Sequence, residues 1–415
     1  MAAGIISLGI LVFCAHLFAS LFRRLRVPDV LLLMCLGIVV GPVLNWVTPQ
    51  QFEDVGPLLA SLTLLLILFD SGIDLSIDSI RRYWKGVVQV AFLSYVLSSA
   101  AVMVCAVYLL GFGWLEGCLL GAMVSGTAAA IVIPMVRQMR VSEKTRTTLT
   151  LESACSGVLS IVISLAFIEG YKMGNLQIGL MVGQVFASFL MALLLGFVSG
   201  IVWAGMLDRV RSLKNSMFLT PAFVAIVYGI TEVLGFSGAI SALAFGIVLG
   251  NIDYFNFPFL HRFSNFNMRE LTANEKSFFK EFVFLLKTFF FVYIGICIPF
   301  TNGPALLYGL IISALLFVVR FILVSIVGHK NTRNDRLTVS IMIPKGLIAA
   351  VLASVPEQLN ITLGYEAIPG ATMMKYITYS VIFFSIVIAS ILVLLTSKKL
   401  VKETVPEWNE VYDYE

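Results

Sequence analysis

Charged residues are scarce in this sequence, where Asp, Glu, Lys and Arg make up 13% of the 415 residues. Soluble proteins carry roughly a quarter of their residues as these four types. Long polar stretches are lacking too, so no part of the chain could build a large soluble domain. Hydrophobic residues make up 59% of the sequence, and apolar runs of about 20 residues, the length of a membrane-crossing helix, recur throughout. The composition therefore predicts an all-α polytopic membrane protein.

Metal-binding and disulfide-forming residues are few as well. The 3 histidines lie far apart, and the 6 cysteines have no CxxC spacing, which argues against a metal cluster, a zinc site and a disulfide framework. A Ser/His or paired-Asp arrangement with hydrolase spacing is also missing. We therefore predict that the protein is not an enzyme, needs no cofactor and binds no nucleic acid. The first apolar run lacks a basic n-region and a cleavage site, so we interpret it as a helix rather than a signal peptide.

The apolar runs predict thirteen membrane spans. Their approximate bounds are 4–21, 28–44, 56–76, 86–110, 115–137, 147–170, 176–206, 215–234, 237–250, 279–299, 304–328, 336–356 and 371–397. All but five of the 28 lysines and arginines fall in alternate loops on one side, and such basic loops face the cytoplasm. The N-terminus is therefore predicted to lie outside and the C-terminus inside the cell.

The five other basic residues are unevenly placed. Lys172 and Lys375 fall on the predicted outer side, whereas Lys287, Arg320 and Lys345 fall within spans. Lys287 and Arg320 are each about two turns from a cytoplasmic end, so we expect their long side chains to extend to the membrane surface. Lys345 lies between Pro and Gly in the middle of a span and cannot be explained in this way.

Acidic residues inside spans are expensive, at about 2.5–3.5 kcal/mol for a charge at the helix centre, and usually have a function. The candidates are Asp70 in LFDSGIDL and Glu152 in LESACSG. They are predicted to lie, with Thr127 and Lys345, at one level on the cytoplasmic side of the membrane midplane.

Two spans contain segments that are prone to interrupt a helix. Residues 125–127 are Ser-Gly-Thr within VSGTAAAIVIP, and residues 344–346 are Pro-Lys-Gly within IPKGL. Interrupted helices in corresponding positions of two halves are typical of transporter binding sites. A third feature, Thr272 followed by Glu275, has the spacing of a capping box and predicts an interfacial helix within the cytoplasmic loop 261–282.

Four stretches in this order resemble segments of the cation/proton antiporter superfamily, especially its prokaryotic thirteen-helix sodium/proton exchanger branch. They are VPDVLLLMCLGIVVGP, LLLILFDSGIDLSIDSIRRYWKGV, NEKSFFKEFVFLLKTFFFVYIGI and IPKGLIAAVLAS. The resemblance covers nearly the whole chain. It implies a homodimer in the inner (cytoplasmic) membrane, built from inverted repeats with two discontinuous crossing helices. It also implies exchange of Na+ or K+ for H+ by an elevator-like movement.

The resemblance also implies a division of the single transmembrane domain, residues 1–400. The core would comprise helices at about 56–170 and 279–397, and the dimerisation helices would lie at about 1–44 and 176–250. Residues 401–415 would form a short cytoplasmic tail.

The site residues implied by the resemblance centre on Asp70, which matches an acid of the third helix that can join the ion site. Thr127 matches the family's unwound threonine, and Glu152 with Ser153 matches its Glu-Ser pair. Lys345 matches a basic residue of the twelfth helix that usually pairs with an acid on the sixth span. The expected charge pair is therefore Glu152 with Lys345.

The sequence departs from the family pattern at the principal ligand. Ser156 and Gly157 stand where the family has Asn-Asp or a similar pair ending in Asp, and Ala128 replaces an Asp that often follows the threonine. Two hypotheses stay open. In one, Asp70 is the titrating Na+ or K+ ligand of a working antiporter, and Thr127, Ser153 and Ser156 complete an oxygen cage. In the other, the protein is a transport-defective or regulatory member of the fold.

Overall fold

The computed structural model describes residues 9–18, 20, 29–49, 55–137, 139, 141–173, 178–213, 216–255, 270–327, 332–364 and 367–402. The first helices are α1 (Gly9–Phe18), α2 (Asp29–Ile38), α3 (Val55–Asp74), α4 (Ile77–Leu110), α5 (Trp114–Ser125), α6 (Ala129–Arg137), α7 (Glu143–Met173) and α8 (Ile178–Arg211). The others are α9 (Leu219–Val233), α10 (Gly238–Gly250), α11 (Ile252–Phe255), α12 (Ala273–Ile296), α13 (Gly303–Val327), α14 (Arg333–Ile341), α15 (Leu347–Leu363) and α16 (Ala371–Lys402). These ranges contain helices and no strand, so the predicted all-α class is confirmed.

Many of these helices are apolar enough to lie in a membrane. Six helical segments have the length and hydropathy to cross one, namely Ala91–Leu110, Lys144–Ile168, Phe186–Arg211, Ser216–Val233, Gly303–Ile326 and Ala371–Thr396. Shorter apolar helices, including α2, α5, α10 and much of α15, accompany them. Together they support a multi-pass membrane protein, whereas the exact number of spans stays a prediction.

The described helices pack in two groups. In one, α4 packs on α5, α7 and α13, and α16 packs on α13 and α15. In the other, α10 packs on α3 and α8, and α12 packs on α2 and α3. The predicted core includes α3 and α12. Their main partners are α10 and α2, which belong to the predicted dimerisation helices. The placing of α3 and α12 in the core therefore stays a prediction.

A small residue allows the close contact between α10 and α3. A Cβ atom added to Gly246 of α10 would lie 2.2 Å from the carbonyl oxygen of Phe69 on α3. Only glycine lets two helix backbones approach so closely, as in other membrane bundles. The contact fixes the part of α3 that carries Asp70.

The capping box predicted from the sequence is present and begins α12. The Thr272 hydroxyl accepts a hydrogen bond from the Glu275 amide, and the Glu275 carboxylate accepts one from the Thr272 amide. Arg211, at the end of α8, adds a salt bridge of 2.8 Å to the same carboxylate. The helix predicted within the loop 261–282 does begin at this capping box, but it is continuous with the predicted span 279–299, because α12 runs from Ala273 to Ile296. Residues 261–269 of that prediction lie outside the described residues.

Replacing Glu275 by Gln should destabilise the protein in a pH-dependent way. Burial acts to raise the pKa of Glu275, but hydrogen bonds from Arg211 and Thr272 outweigh it and lower this pKa. The stabilisation is therefore complete above the unfolded-state pKa of about 4.3 and is lost as the pH falls through the folded-state pKa. At pH 7 we expect a loss of about 1 kcal/mol, typical of a lost helix cap.

Thermal melting of the detergent-solubilised protein between pH 7 and pH 3 measures this effect. Glu281→Gln on the same helix is the matched control, since the Glu281 side chain is 76% exposed. A melting difference for Glu275→Gln that does not shrink in acid would contradict the expected linkage.

Candidate functional site at two interrupted helices

The first interruption separates α5 from α6. The helix ends at Ser125, and Gly126 adopts an extended conformation with φ −61° and ψ 142° before α6 begins at Ala129. Residues 126–128 are non-helical, at the point where the sequence predicts an interruption. Glycine favours such a break because it has a low helix propensity. Thr127 and the Ser125 carbonyl therefore lie at the ends of two half-helices inside the bundle.

The second interruption separates α14, which ends at Ile341, from α15, which begins at Leu347. Pro344 lacks an N–H donor and disfavours the helical conformation of the residue before it. The two interruptions contact each other, because the Ala128 amide donates a 2.9 Å hydrogen bond to the Pro344 carbonyl. The approach is close enough to require Gly346, where an added Cβ would lie 2.7 Å from the Ala128 Cβ.

Three of the predicted site residues lie together beside the first interruption. The Thr127 amide donates to the Ser156 hydroxyl at 3.1 Å, and this hydroxyl donates to the Ser153 carbonyl at 3.3 Å. All three residues are buried. The Ser153 hydroxyl donates back to the Thr150 carbonyl along α7. The structure thus brings Thr127, Ser153 and Ser156 into one cluster of hydroxyl and carbonyl oxygens.

Two further side chains bind the end of α5. The Ser160 hydroxyl lies 2.7 Å from the Ala122 carbonyl oxygen, to which Tyr95 also donates at 3.1 Å. These bonds provide partners for a carbonyl of the last turn of α5, one of those that lack a partner within their own helix. Neither residue is recognisable from the sequence, since a single Ser or Tyr within an apolar helix has no distinctive pattern.

Lys345 is buried at the contact of the two interruptions. Its ammonium donates a 3.0 Å hydrogen bond to the Ser125 carbonyl, and its amide donates to the Ser385 hydroxyl at 3.0 Å. Lys345 is only 2% exposed. The carbonyl end of a helix carries partial negative charge, so the end of α5 is a favourable position for a cation, and the lysine ammonium fills it.

Glu152 pairs with Arg320 on α13, which corrects two predictions. The two terminal guanidinium nitrogens of Arg320, Nη1 and Nη2, donate to the two carboxylate oxygens of Glu152, and the Nη2–Oε2 distance is 2.7 Å. Arg320 is 1% exposed and also donates to the Val339 carbonyl and the Ser94 hydroxyl. It does not extend to the membrane surface, and the direct Glu152–Lys345 pair is wrong, because Lys345 donates to Ser125 instead.

The chemistry of Arg320 explains why it is a suitable partner for Glu152. A guanidinium binds a carboxylate through two parallel hydrogen bonds, whereas an ammonium acts as a compact point charge. A fully buried carboxylate gains most from the two-pronged contact. Distance along a span from the cytoplasmic end does not reveal which way a side chain points, so the sequence alone favoured the wrong cation.

Asp70 lies on α3 and forms no hydrogen bond or ion pair with this cluster among the described residues. The residue is half-buried, and the charges that act on it are those of Asp74 on the next turn and Lys280 on α12. Within the described ranges, no hydrogen bond joins Asp70 to Thr127 or to the two serines. Its role as a Na+ or K+ ligand therefore stays a prediction.

Known proteins resemble this chain over nearly its whole length. An archaeal protein named Na(+)/H(+) antiporter 1, from Methanocaldococcus jannaschii, is 24% identical over 94% of this chain and 91% of its own length. A K(+)/H(+) antiporter NhaP2 from Shewanella baltica is 25% identical over 94% of this chain, which spans 65% of that relative.

Solved structures share the same fold. The sodium proton antiporter MjNhaP1 from Methanocaldococcus jannaschii superposes with a TM-score of 0.73 at 19% identity, covering 94% of this chain and 99% of the other. A second structure of that protein, an electron-microscopy map, gives a TM-score of 0.75 at 21% identity. Residues 9–399 also match the family described as "Sodium/hydrogen exchanger, transmembrane". The chain therefore belongs to the sodium/hydrogen exchanger family, a family of ion transporters and not of enzymes.

Proposed function

We propose that this protein exchanges Na+ or K+ for protons across the inner (cytoplasmic) membrane. Family membership supports cation/proton exchange. Both cations are kept in the proposal because one relative is named as a Na+/H+ antiporter and another as a K+/H+ antiporter.

The observation that carries the proposal is the contact between the two interrupted helices. Non-helical backbone inside a membrane must have its polar groups satisfied by side chains, water or ions. Here the Ala128–Pro344 hydrogen bond joins two such segments. Beside them the hydroxyl of Ser156 meets the backbone of Thr127. Oxygen atoms at such a point suit a hard monovalent cation, and the binding of the Lys345 ammonium to Ser125 supports a preference for positive charge.

Asp70 is the titrating carboxylate of the proposal. Glu152 is fully engaged by Arg320, and positions 156 and 157 are Ser and Gly. Thr127, Ser153 and Ser156 would supply the uncharged ligands. Asp70 forms no hydrogen bond with these ligands among the described residues, and α3 packs on α15 beside the second interruption, so the proposed cation would lie between the carboxylate and the hydroxyls.

The architecture proposed for this exchange is a homodimer of thirteen-span protomers. The N-terminus would lie outside and the C-terminus in the cytoplasm, and the two interrupted helices would cross between inverted repeats. The core would move in an elevator-like manner against the dimerisation helices, exposing the site to each side in turn.

A second candidate is a transport-defective member that serves as a regulatory subunit. One observation favours it: the cluster of Thr127, Ser153 and Ser156 contains hydroxyls but no carboxylate, and Lys345 already fills the favourable cation position. A protein with this arrangement could keep the fold without binding a mobile ion.

Exchange in proteoliposomes distinguishes the two candidates. Imposed Na+ or K+ gradients should change the internal pH of vesicles that contain the unmodified protein, as reported by a pH-sensitive dye. Gly157→Asp restores the family carboxylate, and its Cβ would meet only the flexible end of Ile348, at 2.8 Å. Gly157→Asn is the matched control of similar size without the charge. Exchange by Gly157→Asp alone would favour the transport-defective candidate, and exchange by none of the three proteins would contradict the proposed function.

A further inference from the structure

A cavity of about 870 Å³ lies between the turn after α2, the ends of α12 and α13, and the facing sides of α15 and α16. The residues that line it include several polar ones, among them Thr48, Thr301, Ser354 and Gln358. One carboxylate, Glu357, also lines it. The loops at its rim are those that the proposed topology places outside the cell, so the cavity lies on the opposite side of the interruptions from the cytoplasm.

One face of α15 connects this cavity with the interrupted segment. Ala350, Ser354, Glu357 and Ile361 all line the cavity, and their spacing places them along one side of a helix. Since an α-helix rises 1.5 Å per residue, Glu357 lies about 15 Å along the axis from the start of α15. The wall therefore leads from Glu357 back towards Lys345.

Lys375 on α16 binds Glu357 within this cavity. The ammonium lies 2.6 Å from the Oε2 atom, and the two side chains are 21% and 23% exposed. The Thr372 hydroxyl donates to the Oε1 atom at 3.0 Å. A carboxylate can accept about four hydrogen bonds, so these two donors leave it with capacity for another positive ligand.

The position of Lys375 is unusual for this chain. Only Lys172 and Lys375 fall on the predicted outer side, where lysine and arginine are otherwise avoided. Lys375 reaches into the cavity and neutralises its carboxylate. A mobile monovalent cation that enters the cavity would meet the same carboxylate and would have to displace the ammonium.

We propose that Glu357 is a second monovalent-cation site on the outer side, at which the tethered ammonium of Lys375 competes with the mobile ion. The ligand class rests on the proposed function, and the competition follows from the ion pair and the cavity. Cation affinity at this site is then limited by Lys375, which makes the outer site weak while the pair is intact.

Equilibrium binding of radioactive Na+ to the purified full-length protein, with choline chloride holding the ionic strength constant, tests this site. Lys375→Gln removes the competitor and should lower the dissociation constant about tenfold, the factor for 1.4 kcal/mol of lost competition. Glu357→Gln should lose this binding component. Lys375→Arg keeps the charge and is the matched control, with affinity close to that of the unmodified protein.

A measurement on the unmodified protein complements these variants if one of them fails to fold. Modification of Lys375 by an amine-reactive reagent should speed up as NaCl replaces choline chloride, because Na+ frees the ammonium from Glu357. The proposal is overturned if Lys375→Gln binds Na+ no more tightly than the unmodified protein does, or if the rate of Lys375 modification does not depend on Na+. The pair is then only a structural link between α15 and α16.

Vesicle exchange separates this proposal from the proposed function. Tight Na+ binding by Lys375→Gln without exchange in any protein would support the site and contradict the exchange activity. Normal exchange with unchanged Na+ binding in Lys375→Gln and Glu357→Gln would contradict the site alone.

Discussion

Arg320→Met is expected to lower the free energy of unfolding by about 3–5 kcal/mol, the range found when one partner of a buried ion pair is removed. The substitution leaves the Glu152 carboxylate buried without its two-pronged partner. It also removes the donors to the Val339 carbonyl and the Ser94 hydroxyl. Denaturant or thermal unfolding of the solubilised protein measures the loss.

A double-mutant cycle with Glu152→Gln shows whether the two residues act as a pair. The combined variant should be more stable than the sum of the single losses indicates, because it leaves no uncompensated charge. The same cycle between Glu152 and Lys345 should give a smaller coupling, since Lys345 binds the Ser125 carbonyl. Arg333→Met, at an exposed position on α14, is the control. Additive losses for Glu152 and Arg320 would contradict the pairing.

Asp70→Asn is expected to abolish cation/proton exchange. The amide neither titrates nor carries the negative charge that favours a cation in a partly dehydrated site. One titrating carboxylate can carry one monovalent ion or one proton per half-cycle, so exchange by the unmodified protein should also be electroneutral. Flux in proteoliposomes, measured with and without an imposed membrane potential, checks both expectations.

Asp74→Asn is the matched control for this variant. Asp74 lies one turn further along α3, its side chain is 44% exposed, and it approaches Lys280 to 3.8 Å. We expect this variant to retain exchange. Normal exchange by Asp70→Asn, or flux that a membrane potential drives, would show that the titrating group is elsewhere.

Several features followed from local properties of the sequence. The scarcity of charge and the length of the apolar runs predicted the membrane class, because both reflect the cost of burying charge in hydrocarbon. Gly126 and Pro344 predicted the positions of the two interruptions, since each acts on the backbone of its own segment. The Thr272–Glu275 capping box was also recognisable, because its bonds span only three residues.

Partners on distant segments could not be read in the same way. Glu152 and Arg320 are 168 residues apart, and only the packing of α13 on α4 and α14 brings the guanidinium into the bundle. The sequence offered three basic residues within spans, and depth along the span favoured Lys345 over Arg320 as the partner of Glu152. Asp70 illustrates the same limit, since its spacing suggested a place beside Thr127 whereas α3 packs mainly on α10 and α12.

By itself, the sequence determined the character of the described segments: an apolar helix or an interruption. These properties depend on the residue types within a few turns and on the bilayer as a solvent. Only the tertiary structure decided the partner of each buried charge, placing Arg320 on Glu152, Lys345 on the Ser125 carbonyl and Lys375 on Glu357. The physical reason is that a buried charge takes whichever partner the helix packing brings within hydrogen-bonding distance, and that choice depends on the packing of helices that are far apart in the sequence.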